Sequence, residues 1–225
     1  MTPMHPAVEG PFSLEQVSLV PKAAGVYAWY SVPYLYKKDL EDFERAVTSI
    51  GDETARAQFV RCFLDGFLFC AFKETPYRVS VQGPLKPTYR GEVPHVPSIS
   101  ESLVKRITLE PKRLSVLADV LKTSIPIFAS PIYIGMARSL RKRLSQHKKL
   151  ISELLENSSL RELAPDARIE TQQDHSFAYE AIVIRRLNPN NLSVYVRSMD
   201  IEKSPYILDV ENVLNRLYYP LCGRN

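Results

Sequence analysis

Between Arg138 and Lys149 the chain carries six cationic side chains: Arg138, Arg141, Lys142, Arg143, Lys148 and Lys149. The same span holds one histidine, His147, and no acid. Like charges at this density repel one another, so the cluster is favourable only beside something anionic. A phosphate backbone is the commonest such partner. Residues of these types in this pattern suit contact with phosphate.

Other candidate chemistries are thinner. No glycine-rich phosphate loop is present, which leaves nucleotide hydrolysis unsupported. Cys62, Cys70 and Cys222 are too few and too scattered for a disulfide framework, and no CxxC pair suggests zinc. His175, beside Asp174, lacks a companion ligand at metal spacing, and His95 sits in a proline-rich loop. Glu180 interrupts the apolar run FAYEAIVIRRL and could be a second active-site carboxylate, though a solvent-facing position is the expectation.

The elements that must position the basic segment can be read from apolar spacing. Ile132–Gly135 reads as a short buried strand, and Ser139 can cap a helix running through Leu150. A second helix, from Ile151 to about Leu163, follows or continues it. Upstream, Ala24–Tyr30 is a buried strand rich in valine and aromatics, and Asp39–Ile50 has helical spacing at Leu40, Phe43 and Val47. Glu53–Phe72 begins as a helix and becomes almost continuously apolar. Tyr77–Val81 alternates as a strand that Pro87–Val93 could pair with. Glu101–Ile107 is a short helix, and Pro111–Thr123 is a helix with Leu114, Leu117, Ala118 and Leu121 on one face. Phe177–Leu187 is an apolar run, and Leu192–Ser198 is a strand after an NPNN turn. Val210–Tyr218 is a closing helix with Val210, Val213, Leu214 and Leu217 turned inward.

Composition agrees with an ordinary globular chain: 225 residues, 45% hydrophobic and 24% charged. The net charge of +4 is mild, so basicity matters through its concentration at 138–149. The first residues lack a basic start followed by an apolar core, so no secretory signal is expected. The most apolar run, Phe63–Phe72, contains Asp65 and Gly66 and is too short to span a bilayer, which makes it a core segment. A reduced, cytoplasmic setting without membrane contact fits this cysteine usage.

Set together, Gly25-Val26-Tyr27 and Tyr133-Ile134-Gly135 resemble the two halves of the signature of the GIY-YIG nucleases. The likeness continues with an arginine eight residues past the second glycine, Arg143, and a histidine one turn on, His147. A late helix carries Glu211, followed by Pro220 and a terminal Asn225. The resemblance implies an α/β (α+β) fold: a small central antiparallel sheet flanked by helices. The family usually joins its two motifs by a short hairpin, whereas about a hundred residues separate them here. The nuclease core would then be split between 21–30 and 130–225. Residues 31–129 would form a large mixed α/β insertion, suited to substrate recognition through cations such as Arg78, Lys86, Arg90, Lys105 and Arg106. Met136 stands where many relatives place a lysine.

The resemblance implies metal-dependent endonuclease chemistry on DNA, with RNA left open. Phosphodiester hydrolysis needs an activated water, charge neutralisation at the phosphorus and help for the departing oxygen. Tyr27 would be the general base, Tyr133 its positioning or relay partner, and Arg143 the phosphate clamp, with His147 hydrogen-bonding the phosphate or a tyrosine hydroxyl. Glu211, a hard oxygen ligand, would hold one Mg²⁺ or Mn²⁺. Arg138, Arg141, Lys142, Lys148, Lys149 and Asn225 would contact the nucleic acid. The alternatives are a catalytically inactive nucleic-acid-binding module on the same fold and a protein-interaction component.

Overall fold

The computed structural model describes residues 8–69, 72, 77–84, 86–93, 99–157, 176–200 and 205–223, with backbone alone at 77, 86 and 87. Asn225, His95, Asp174, His175 and Cys70 lie outside the described residues. In chain order the main elements begin with strands β1 (Glu9–Phe12) and β2 (Gly25–Ser31) and helices α1 (Lys37–Ser49) and α2 (Glu53–Leu68). Strands β3 (Tyr77–Gly83) and β4 (Lys86–Val93) precede helices α3 (Glu101–Leu109) and α4 (Arg113–Phe128). Strand β5 (Tyr133–Ala137), helix α5 (Leu140–Glu156), strand β6 (Leu192–Ser198) and helix α6 (Ile207–Tyr218) complete the order. The protein is mixed α and β, with antiparallel sheets. None of its described helices is long and apolar enough to cross a membrane.

The chain divides into two compact units, Met1–Tyr36 with Ser115–Asn225, and Lys37–Leu114. The boundaries of the second unit fall inside the 31–129 insertion expected from the sequence.

The first unit is built on a four-stranded antiparallel sheet in the order β1-β6-β2-β5. Alternation decides its faces: Gly25, Tyr27, Trp29 and Ser31 of β2 are buried, while Val26, Ala28 and Tyr30 are half-buried. Leu192, Val194 and Val196 of β6 repeat the pattern. Helix α5 lies on the buried face through Leu140, Leu144, His147 and Ile151, a 3.6-residue stripe. A helical turn at Phe177–Tyr179, continuing as a π-type turn through Ile184, adds Phe177, stacked on Trp29 with ring centroids 5.2 Å apart. Burying large side chains such as Trp29 and Phe177 contributes about 2–3 kcal/mol each. Helix α6 packs along β5.

Several expectations need revision here. Ser139 occupies the N-cap position of α5, but its side chain makes no capping bond. The Leu140 and Arg141 amides instead donate to the Ala23 and Pro21 carbonyls at 2.9 and 3.2 Å, tying the start of α5 to the segment before β2. Helix α5 continues past Leu150 to Glu156 without a break, and the remainder of the expected 151–163 helix lies outside the described residues. In α6, Val213 and Leu217 point outward, 55% and 69% exposed, where an inward face was expected. The helix is rotated so that Ile207, Val210, Glu211 and Leu214 face the sheet.

In the second unit, Asp52 caps α2 by accepting from the Ala55 amide at 2.6 Å. The core comprises Phe43, Val47, Val60, Leu64, Val104, Ile107 and Leu114. Among the described residues of the apolar run Phe63–Phe72, expected to be core, only Leu64 is fully buried. Phe59, Phe63 and Phe67 form a half-buried ladder instead, with the Phe63 ring centroid 4.5 Å from that of the buried Phe43. Strands β3 and β4 make a separate two-stranded hairpin.

Candidate active site

Two glycines fix the geometry of the site. Tyr27 on β2 lies directly opposite Gly135 on β5, so its ring crosses the glycine on the buried face. A Cβ at Gly135 would stand 2.6 Å from both Cζ and Oη of Tyr27 and 2.8 Å from Cε1 of Tyr133. At Gly25, a Cβ would collide with the Arg197 carbonyl and meet Leu140 Cδ1 at 2.8 Å. The glycines of the two tripeptides are thus required by close approach: one lets the tyrosines converge, the other lets α5 settle on the sheet.

Above Gly135 the side chains form a layered aromatic cluster. The Tyr27 hydroxyl is 2.9 Å from His147 Nε2, and the Tyr27 and Tyr133 rings are 6.1 Å apart. Phe177 closes the cluster from behind, 5.0 Å from Tyr133 and 5.3 Å from His147. His147 is only 3% exposed, and its Nδ1 has no partner among the described residues. The tautomer protonated at Nε2 satisfies the ring's single N–H with the Tyr27 oxygen, and it is assigned on that ground. Burial, reinforced by the charge of Arg143, pushes the His147 pKa down to about 3, so the ring is neutral.

Arg143 approaches this cluster from the open side. Its guanidinium acts on the Tyr27 and Tyr133 hydroxyls as hydrogen-bond donor and as positive charge. Burial is the largest influence on Tyr27 and raises its pKa well above the usual tyrosine value; Tyr133 adds to the rise and Arg143 opposes it. Glu211 reaches the same place from α6. Its carboxylate takes a hydrogen bond from the Met136 backbone N–H on β5, and it feels Arg143. Burial nonetheless holds its pKa above the usual carboxylate value.

Tyr27, Tyr133, Arg143 and Glu211 line one open cleft of about 560 Å³, together with Arg138, Lys142 and Gln146 among others. Four separate elements, β2, β5, α5 and α6, deliver the four residues. His147 is absent from the lining; it stands behind Tyr27, within hydrogen-bond distance of the tyrosine hydroxyl.

The five other cations expected to hold a nucleic acid divide sharply. Arg138 and Lys142 line the cleft and make no ion pair with described residues. Arg141 donates from Nε to the Val20 carbonyl at 2.6 Å, which makes it a strut. Lys148 pairs with Glu15 at 2.9 Å and Lys149 with Glu153 at 3.6 Å. Glu180, a possible second carboxylate, is paired with the buried Arg185 at 3.3 Å and is not part of the cleft. Gln146 went unremarked in the sequence; it accepts from Arg143 at 3.5 Å, and its place one turn from Lys142 on α5 was the available signal.

Among the described residues no group of three or more His, Cys, Asp or Glu side chains could hold a metal ion. The cleft therefore does not suit Zn²⁺, which takes three or four protein ligands. A lone carboxylate lining an open cleft suits Mg²⁺, which keeps several waters and binds through one or two carboxylates plus substrate phosphate. Mn²⁺ accepts the same oxygen donors. No protein-family model, curated protein or solved structure gives a significant match to this chain.

Proposed function

We propose that this protein is a metal-dependent endonuclease of the GIY-YIG type that hydrolyses phosphodiester bonds in DNA. One observation carries the reading: Tyr27, Tyr133, Arg143 and Glu211, widely separated in sequence, converge on one cleft that also presents Arg138 and Lys142. The close packing at Gly25 and Gly135 supports it, because the motif residues are used here for the geometry that unites the tyrosines. Among the described residues Cys62 and Cys222 are free thiols, which accords with a reducing, cytoplasmic setting.

In this mechanism Arg138 and Lys142 draw the phosphate backbone into the cleft and fix its register. Tyr27 is the general base that takes the proton of the attacking water. Its oxygen accepts hydrogen bonds from His147 and Arg143, two donors that favour the ionised form, while Tyr133 lies beside it as relay. Arg143 faces both the tyrosines and the cleft, so the same guanidinium can follow negative charge from Tyr27 to the non-bridging oxygens. Glu211 would hold Mg²⁺ or Mn²⁺; such an ion, when bound, neutralises charge on the phosphate and on the departing oxygen. The Met136 N–H and Arg143 orient the Glu211 carboxylate towards the cleft.

Nicking of supercoiled plasmid in Mg²⁺, against a chelator control, tests the reading. Glu211→Ala should abolish cleavage while leaving the melting transition in place, because Glu211 is a half-buried helix residue without an ion pair among the described residues. Undiminished cutting by this variant would sink the site assignment. A second reading, a fold that binds nucleic acid without cutting, draws on Met136 in place of the family's lysine and on the raised pKa of Tyr27. Salt-sensitive DNA binding with no cleavage of DNA or RNA under any divalent ion would select it.

A further inference from the structure

The β3–β4 hairpin has no buried side chain among those described. A two-stranded ribbon gains little stability on its own, so bare faces on both sides mark a surface that acquires its partner later. Its register separates two chemistries. Arg78 faces Glu92 and Ser80 faces Arg90 on one side, while Val79 faces Gly91 and Val81 faces Tyr89 on the other. Val79, Val81, Tyr89 and Val93 are 40%, 59%, 62% and 54% exposed. Arg78 and Arg90 make no ion pair with described residues, although Glu92 lies directly across the ladder from Arg78.

We propose that this hairpin is a second nucleic-acid contact, a ribbon that seats in a groove of duplex DNA. It rests on the nucleic-acid reading of the cleft but not on catalysis. Three features favour a duplex over a protein. Two of the three charged side chains described on the hairpin are arginines, the side chain best matched to phosphate, against the single acid Glu92. The width of a two-stranded ribbon is what a major groove admits. The apolar ladder carries no charge, so it can lie against sugar edges and thymine methyls while Arg78 and Arg90 reach the phosphate rims. A second copy of the chain would bury only this short ladder, far less surface than the ~1,200 Å² at the low end of stable interfaces.

The test uses the full chain with Glu211→Ala, so that binding is read without cleavage, on a short duplex across a salt series. Arg78→Ala with Arg90→Ala should weaken binding and lower the salt slope by about 2, close to one for each phosphate that is no longer neutralised. Val81→Ser should weaken binding several-fold at an unchanged slope; the side chain is exposed, so the fold survives. Unaltered affinity and slope in both variants would overturn the proposal. So would loss of self-association in Val81→Ser with DNA affinity intact, which would assign the ladder to a second copy. Hairpin-dependent binding by a chain that never cuts in its Glu211 form would retain the ribbon and remove the nuclease reading.

Discussion

The ring of Tyr27 lies across Gly135, and the space above that glycine is what lets Tyr27 and Tyr133 share one cleft. A methyl there would stand 2.6 Å from the Tyr27 hydroxyl oxygen. Gly135→Ala should therefore push Tyr27 away from His147 and Arg143. Overpacking of this kind costs about 1–3 kcal/mol, so the protein should still fold. Cleavage should fall far more than the melting temperature does. If plasmid nicking persists at the wild-type rate, the close approach is not used in catalysis.

Arg143, proposed as the phosphate clamp, also acts on both tyrosine hydroxyls. The two roles predict different kinetics. Burial raises the Tyr27 pKa, so the ionised fraction at neutral pH is small and the single-turnover rate should climb with pH. Arg143 opposes that rise; Arg143→Gln should move the alkaline limb to higher pH as well as lowering the rate. A guanidinium that only bound phosphate would change KM and leave the limb in place.

Arg138 and Lys142 line the cleft, whereas Lys149 is held by Glu153. Salt dependence of DNA binding should register the difference. Replacing Arg138 or Lys142 by alanine should each lower the slope of log affinity against log salt by about 1. Lys149→Ala should leave it unchanged. Equal effects at all three positions would mean that the whole helix face meets the backbone.

The framework of this site was legible because period and glycine chemistry are local properties. Strands β2 and β6, the first part of helix α5 and both tripeptides could be read directly. What could not be read depends on partners distant in sequence. Arg141 finds the Val20 carbonyl and Lys148 finds Glu15, each more than a hundred residues away, so six cations that look equivalent divide by tertiary contact. The roll of α6 has a similar origin. Its apolar residues circle the helix, and the position beside β5 goes to Glu211, which meets an edge-strand amide that a valine could not satisfy. Strand β1, EGPF, has no period to detect in four residues and exists because β6 offers it an edge.

His147 links the site to acid stability. Its pKa is ordinarily 6.5 and is pushed to about 3 by burial and by Arg143. The groups that face it include Tyr27, Tyr133, Trp29 and Phe177 as well as Arg143, none of which is an acid that would favour the imidazolium. The folded-state value is below the unfolded one, so the unfolded chain binds the extra proton. Stability is therefore complete above the unfolded value and declines as pH falls from 6.5 towards 3. Its contribution to the decline is about 1.4 kcal/mol per pH unit. His147→Gln cannot take up that proton and can still donate to the Tyr27 oxygen, so its unfolding free energy should lose this component of the acid slope. Urea titrations of both proteins at neutral and mildly acidic pH measure it. Parallel slopes would show that the imidazole becomes charged in the folded state, in which case it is not the neutral donor that the Tyr27 mechanism requires.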